Sequence, residues 1–541
     1  MNTTTATTAT TATTAGAPPA LELRAVTKRY ANGTLANDAV SLRIAPGEIH
    51  AIVGENGAGK STVMKLLYGL EQPSAGEMLL DGAPVRFERP AQAIAAGIGL
   101  VPQHVELVRS FSVAENVVLG SEPRRGPLLD RRRAAEAVAA VSQRFGLAVD
   151  PQAIAGELSL GEQQRVEILK TLYRGARIVL LDEPSAVLTP QEAQALFAAL
   201  RTLVQQGCTV VLITHKLSEV RDVSDRFTVM RGGRVVGHAA SRGMDEARFG
   251  EMIVGRPVPG LQVERRDLRR AAPRVSVRGL SLADADGRLQ LDALSFDIAA
   301  GEILGVAGVE GNGQGPLAEV LGGLRKPSGG AATIDGEAFT GRGARAARAR
   351  RVACIPEDRL HDGVAAEMSI TENVIALDYH RPPMSRAGWI DMRAARAAAR
   401  RVLADYGVVA HSIEQPIGSL SGGNMQKVVL AREIASAPRL LVASQPTRGV
   451  DIGAARFLRQ QLVALRDQGA ALLLLSSDLD EVIALADRIV VLFRGRIVGH
   501  FAADAQAQTL GLYMMGLRRD AAAAATLDAP FTAIDGEGGD G

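Results

Sequence analysis

Short, unbroken apolar runs alternate along this chain with longer Ala-rich stretches whose apolar positions follow a helical period. Ile178-Val179-Leu180-Leu181 and Val210-Val211-Leu212-Ile213 are runs of the first kind. A strand that is apolar at every position is covered on both faces, as in a parallel sheet. Strands of that kind alternating with amphipathic helices predict an α/β fold, a mostly parallel sheet flanked by helices. Between Gln103 and about Arg165 the pattern turns more helical, which predicts a helical subdomain beside the sheet; it returns between Glu357 and about Lys427.

The pattern occurs twice. Ser112-Val113-Ala114-Glu115-Asn116-Val117 comes back as Ser369-Ile370-Thr371-Glu372-Asn373-Val374, and Leu158-Ser159-Leu160-Gly161-Glu162 as Leu420-Ser421-Gly422-Gly423-Asn424. Val229–His238 returns as Val491–His500. Early landmarks repeat at a spacing of 254 residues and later ones at 262. A period this long means a duplicated domain and not a solenoid. We expect a Thr/Ala-rich disordered tail over 1–20, a first domain over 21–254, an Arg/Asp/Pro-rich linker over 255–274, a second domain over 275–518 and a loose tail over 519–541.

Each copy has a glycine cluster directly after an apolar strand. In the first, His50-Ala51-Ile52-Val53 leads into Gly54-Glu55-Asn56-Gly57-Ala58-Gly59-Lys60-Ser61-Thr62. This is the phosphate-loop pattern in its proper strand context. Its glycines turn backbone N–H groups inward, and the helix that follows adds its N-terminal dipole. Lys60 then faces terminal phosphates and Ser61 a Mg²⁺ ion. In the second copy, Ile303–Ala307 leads into Gly308-Val309-Glu310-Gly311-Asn312-Gly313-Gln314-Gly315. Gln314 carries no charge and Gly315 no metal ligand. Taken alone, that second cluster fits a plain glycine turn equally well.

Strand Ile178–Leu181 ends in Asp182-Glu183-Pro184. With a phosphate loop upstream, Asp182 is placed to hold Mg²⁺ through water and Glu183 to act as general base toward the attacking water. His215 follows strand residues Leu212-Ile213-Thr214 and reads, in this ordered set, as a γ-phosphate sensor. Tyr30, ahead of the first glycine turn, reads either as an adenine-stacking ring or as core.

Composition narrows the classes. Two cysteines, Cys208 and Cys354, lie in apolar surroundings and read as buried thiols of a reducing compartment. A net charge of +2 gives no reason to expect nucleic acid as a partner. No stretch of about 18 uncharged apolar residues is present to span a bilayer. The N-terminus lacks the basic and apolar regions of a secretory signal. The arginines at 342, 345, 348, 350 and 351 read as a solvated, Ala-rich helix face.

The ordered set of aromatic, phosphate loop, Gln103, Leu-Ser-x-Gly, Asp-Glu-Pro and His resembles an ABC-transporter ATPase over about residues 21–518. The tandem form resembles the fused ATP-binding subunits of bacterial simple-sugar and nucleoside importers. Pro356-Glu357-Asp358-Arg359 and Pro184–Pro190 are similar to that group, and Gly308–Gln314 with Gln445-Pro446-Thr447-Arg448-Gly449 is closer to its nucleoside branch. The resemblance implies two ABC-type P-loop ATPase domains, each with an antiparallel β portion and a helical subdomain. It implies ATP and Mg²⁺ as ligands, integral-membrane permease partners docked near Gln103–Val117 and Glu357–Val374, and a solute-binding protein reached through the complex. The expected location is peripheral, on the cytoplasmic face of the bacterial inner membrane.

It also implies that each ATP sits between the phosphate loop of one domain and the signature of the other. One composite site then joins Tyr30, Gly54–Thr62, Gln103 (metal and catalysis), Asp182, Glu183 and His215 to Ser421, Gly422, Gly423 and Asp451. The other joins Gln314, Gly315, Glu357, Ser444, Gln445 and Ser477 to Ser159, Leu160, Gly161 and Thr189. The departures from the family pattern collect in the second; Asn424 is the one mild departure at the first. Two rivals fit less well. A ribosome-acting tandem ABC protein would keep both loops and a long charged linker helix. A DNA-repair ATPase needs a coiled coil that the roughly 100 residues from Gly59 to Leu158 leave no room for. Sugar import in place of nucleoside import stays open.

Overall fold

The computed structural model describes residues 18–520 apart from 56, 104, 127, 186, 187, 215, 244–248, 250, 254–262, 267, 269 and 270. The expected N-terminal tail, most of the expected linker, the expected C-terminal tail beyond Asp520, Asn56 and His215 therefore lie largely or wholly outside the described residues. The chain divides into two compact units, 1–186 with 195–258 and 187–194 with 259–541. At the far end Asp520 is tied in: its carboxylate accepts from Tyr513 Oη (3.1 Å) and from the His500 backbone N–H (3.0 Å).

The first unit holds a six-stranded sheet ordered Arg234–Ala240, Arg226–Arg231, Ile49–Gly54, Thr209–Thr214, Ile178–Asp182 and Ile98–Val101. All neighbours run parallel except the first hairpin. The apolar runs seen in the sequence are its central strands, with Val179–Leu181 and Val210–Ile213 fully buried. A separate antiparallel sheet, ordered Leu35–Ile44, Leu21–Arg29, Ala75–Leu80 and Ala83–Val85, packs on the same core.

The second unit repeats this order: Arg496–Ala502, Arg488–Phe493, Ile303–Ala307, Ala471–Ser476, Leu440–Ser444 and Val352–Ile355, beside an antiparallel sheet of Leu289–Ala299, Pro273–Ala283, Gly329–Ile334 and Glu337–Ala338. Among the described residues no helix is long and apolar enough to cross a membrane.

The helical subdomains hold helices Val113–Val118, Arg131–Phe145 and Leu160–Tyr173, and again Ile370–Ile375, Met392–Asp405 and Gly422–Ala435. The repeated Ser-x-x-Glu-Asn run is structural. Ser112 with Glu115, and Ser369 with Glu372, form reciprocal N-terminal caps. The Asn116 and Asn373 amides bind the backbone of the preceding loop, at Val108 and Ala365 respectively.

The basic segment around Arg348 departs from the solvated face read in the sequence. Its helix, Ala344–Ala349, is short, and Arg348 forms a two-pronged ion pair with the fully buried Glu433. A buried carboxylate demands a partner, and the nearest arginine supplies it.

Candidate functional site

In the first unit the strand Ile49–Gly54 delivers the chain into the phosphate loop, and helix Lys60–Leu67 leaves it. Gly54 and Gly59 are required by space as well as by backbone angle. A Cβ on Gly54 would stand 2.2 Å from the Met230 carbonyl oxygen, and one on Gly59 would stand 2.4 Å from that of Ala36. The loop therefore admits no side chain there and keeps its N–H groups at the surface of the cradle. The Lys60 ammonium is buried and donates to the Gly54 and Glu55 carbonyls at 2.8 and 3.0 Å. Burial lowers its pKa, and Glu183, Asp182 and Glu55 oppose that shift. Ala58 is buried with its N–H on the Glu55 carbonyl.

Asp182 and Glu183 close the adjoining strand. Burial raises the Asp182 pKa, the neighbouring Glu183 carboxylate raises it further, and a hydrogen bond from Ser61 works the other way. Two half-buried carboxylates crowded beside the Ser61 hydroxyl leave negative charge that a cation would relieve. Ser61, Asp182 and the Gln103 amide are hard oxygen donors of the kind Mg²⁺ takes alongside phosphate oxygens. They are the residues that would hold it. Gln103 Nε2 donates to Glu183 Oε2 at 3.1 Å. Glu183 itself adopts left-handed backbone, φ 47°, with its N–H bound to the Ile213 carbonyl. Strain of this sort costs of order 1–3 kcal/mol and clusters at working sites. Tyr30 stands beside the loop, its hydroxyl 3.5 Å from Thr62 Oγ1 and the Lys28 ammonium 5.1 Å over its ring.

One element of the site was missed in the sequence. Glu219 accepts hydrogen bonds from Ser185 and from Thr214 (2.6 Å), tying the turn after Glu183 to the strand end before His215. The second unit does the same: Glu481 accepts from Thr447 (2.6 Å) and Ser476 (2.9 Å). All three members recur at the spacing of 262, which was the available signal.

The second unit keeps the scaffold and replaces the chemistry. Helix Gln314–Leu321 follows Gly313 in left-handed conformation, as Lys60 follows Gly59. Gln314 is buried; its Nε2 reaches the Val309 carbonyl at 3.2 Å, while its Oε1 has no hydrogen-bond partner among the described residues. Ser444 Oγ, in the place of Asp182, is likewise buried without a partner. Gln445, in the place of Glu183, repeats φ 47° and bonds to Ser477 at 3.1 Å.

Arg448 bridges Glu357 and Glu310, the latter at 3.3 Å. Burial raises the Glu357 pKa, and Arg448 opposes it. Arg359 donates to the Arg448 and Gly449 carbonyls at 2.6 and 3.1 Å. The corresponding residues of the first unit are Gln103, Asn56 and Ala186, so the second unit carries a side-chain cation together with its two carboxylates.

Signature residue Ser421 caps helix Gly422–Ala435 and accepts from Asn424 Nδ2 at 3.0 Å. A Cβ on Gly423 would lie 3.1 Å from Asp451 Oδ2, so Asp451 stands against the signature within this unit. Ser159 heads helix Leu160–Tyr173 in a capping box with Glu162. Thr189 caps its own helix through Glu192.

Two segments, residues 37–186 and 291–448, match the family model described as ABC transporter. The chain belongs to that family. Both units are ABC-type ATPase domains, and the protein binds and hydrolyses ATP. It is 41% identical over 495 residues to "Nucleoside import ATP-binding protein NupA" of Lactococcus lactis subsp. cremoris (strain MG1363), covering 91% of this chain and 97% of that one. It is 41% identical over 497 residues to "Guanosine import ATP-binding protein NupO" of Bacillus subtilis (strain 168), covering 92% and 97%. It is 38% identical over 501 residues to "Ribose import ATP-binding protein RbsA 1" of Rubrobacter xylanophilus, covering 92% and 98%.

Proposed function

We propose that this chain is the energy-coupling ATPase of an importer for nucleosides, and that it hydrolyses ATP at the first-unit loop alone. The observation that carries the reading is the gathering of Lys60, Ser61, Gln103, Asp182 and Glu183 in one unit, set against Gln314, Gly315, Glu357, Ser444 and Gln445 at matching places in the other. In the first unit the loop N–H groups and Lys60 bind and orient the phosphates. Glu183, held by Gln103 and by its own left-handed backbone, takes the proton of the attacking water. Mg²⁺ bound by Ser61, Asp182 and Gln103 would neutralise charge on the transferring phosphoryl group. His215 is assigned the sensor role on sequence order. On the family resemblance, Ser421, Gly422, Gly423 and Asp451 of the second repeat complete this site, and Ser159, Leu160, Gly161 and Thr189 serve the other.

The two nucleoside relatives and the Gly308–Gln314 and Gln445–Gly449 motifs favour nucleosides over sugars. Integral-membrane permeases and a solute-binding protein are the proposed partners, with the chain peripheral on the cytoplasmic face of the membrane. Glu183→Gln should lower ATP turnover by on the order of 10²–10⁴, while Gln445→Ala changes it little. Ser421→Ala should slow turnover and Ser159→Ala should not. Equal losses within either pair overturn the assignment. Uptake of labelled guanosine and ribose by cells carrying the whole importer distinguishes the solutes.

A further inference from the structure

Trp389, the only tryptophan of the chain, stands 82% exposed on a small hairpin of the second helical subdomain. The hairpin pairs Ser385–Arg386 with Trp389–Ile390 through a tight turn at Ala387 and Gly388, both at positive φ. Nothing lies within 4 Å of where a Gly388 Cβ would be, so the tip projects into open space. Ile390, on the same strand, and Met392, at the start of the next helix, are exposed at 45 and 39%. Leaving this much apolar surface bare calls for a partner.

The surrounding charge is net positive. Residues 378–405 hold six arginines and three acids, Asp378, Asp391 and Asp405; Arg381 pairs with Asp378 and Arg396 with Glu414. Asp391 is engaged in capping the helix that follows, accepting from the Arg393 and Ala394 N–H groups. Arg386 is the cross-strand neighbour of Trp389, and Arg393 starts the next helix. Both are exposed, and neither forms an ion pair among the described residues.

The first unit carries the same arrangement in different residues. Arg124–Arg125 pairs with Leu128–Leu129, Leu128 is 72% exposed, and Asp130 caps a helix that opens with three arginines. An exposed apolar tip paired across the strand with an arginine has therefore been kept in both copies.

We propose that the Trp389 hairpin is a lipid-contact site that enters the headgroup layer of an anionic membrane. An indole with guanidinium neighbours matches that layer: the ring sits at the interface, and the arginines pair with lipid phosphates while their stems follow the apolar surface. A projecting tip suits insertion into a fluid surface, whereas docking of a protein segment asks for a groove. The site does not depend on the solute or on the import reading.

Because Trp389 is the sole indole, its fluorescence reports this tip alone. The purified full chain is mixed with phosphatidylcholine vesicles, with and without phosphatidylglycerol. The expected result is a blue shift and shielding from an aqueous quencher with the anionic vesicles only, reversed by salt. Arg386→Ser with Arg393→Ser keeps the reporter and should weaken partitioning about 25-fold, about five-fold for each charge, at unchanged ATP turnover. Trp389→Ser should reduce vesicle flotation. No shift with anionic vesicles, an equal shift with neutral ones, or a shift appearing only when permease is added would overturn the proposal, the last assigning the tip to a protein partner. ATP turnover measured on the same samples keeps such a failure separate from a failure of the ATPase reading.

Discussion

Cys354 shows how its surroundings, burial above all, set the behaviour of a side chain. Desolvation pushes its thiol up to about 12, with the Glu433 carboxylate adding to the shift and Arg348 opposing it. Burial raises the Cys208 thiol as well. The thiolate is the reactive form. Both thiols should therefore resist alkylation at pH 8 in the native protein, and both should titrate after unfolding; a fast native reaction at Cys354 would contradict a desolvated thiol. The sequence placed both cysteines in apolar surroundings but could not show the Arg348–Glu433 pair, whose members lie 85 residues apart. The Arg448 bridge to Glu357 spans 91 residues and was illegible for the same reason. Lys60, Asp182 and Glu183 were readable because a loop or a strand end fixes their spacing; a bridge between distant loops has no spacing to read.

Among elements, the buried glutamates that tie strand ends to neighbouring turns carry a measurable signature. Burial raises the Glu481 pKa above its ordinary value, with Arg459 opposing and Asp478 adding to the shift. The folded form thus holds this proton more tightly than the unfolded chain. Its contribution to stability is present at acid pH and drains away as pH rises from the usual carboxylate range toward the raised value. Glu481→Gln should flatten that part of the stability profile in denaturant titrations, and an unchanged slope would count against the buried position. Glu219→Ala is expected to cost about 2–4 kcal/mol, because the Ser185 and Thr214 hydroxyls lose their acceptor inside the protein; chemical denaturation reads this directly. The strands themselves were legible as unbroken apolar runs. The ties were not, although the residue types recur at the duplication spacing.

Across the whole molecule, two copies of one fold have kept their backbone while their side chains diverged. The left-handed turn at Glu183 recurs at Gln445 with the same φ of 47° and the same N–H bond to a neighbouring strand. The second unit has Gln445 where the first has an acid, and keeps the same bend. On the proposed single-site reading, the difference between the copies lies in side chains and leaves the mould intact. Restoring Lys, Ser, Asp, Glu and His at positions 314, 315, 444, 445 and 477, with Arg448→Ala and Glu357→Gln to clear the ion bridge and Leu160→Gly and Thr189→Asp to repair the facing signature, should return ATP turnover to a chain silenced by Glu183→Gln. Continued silence in a folded variant would mean that the loss had reached the backbone. A scaffold kept in this way would be a reserve on which selection can draw by point substitution, with no need to invent a fold.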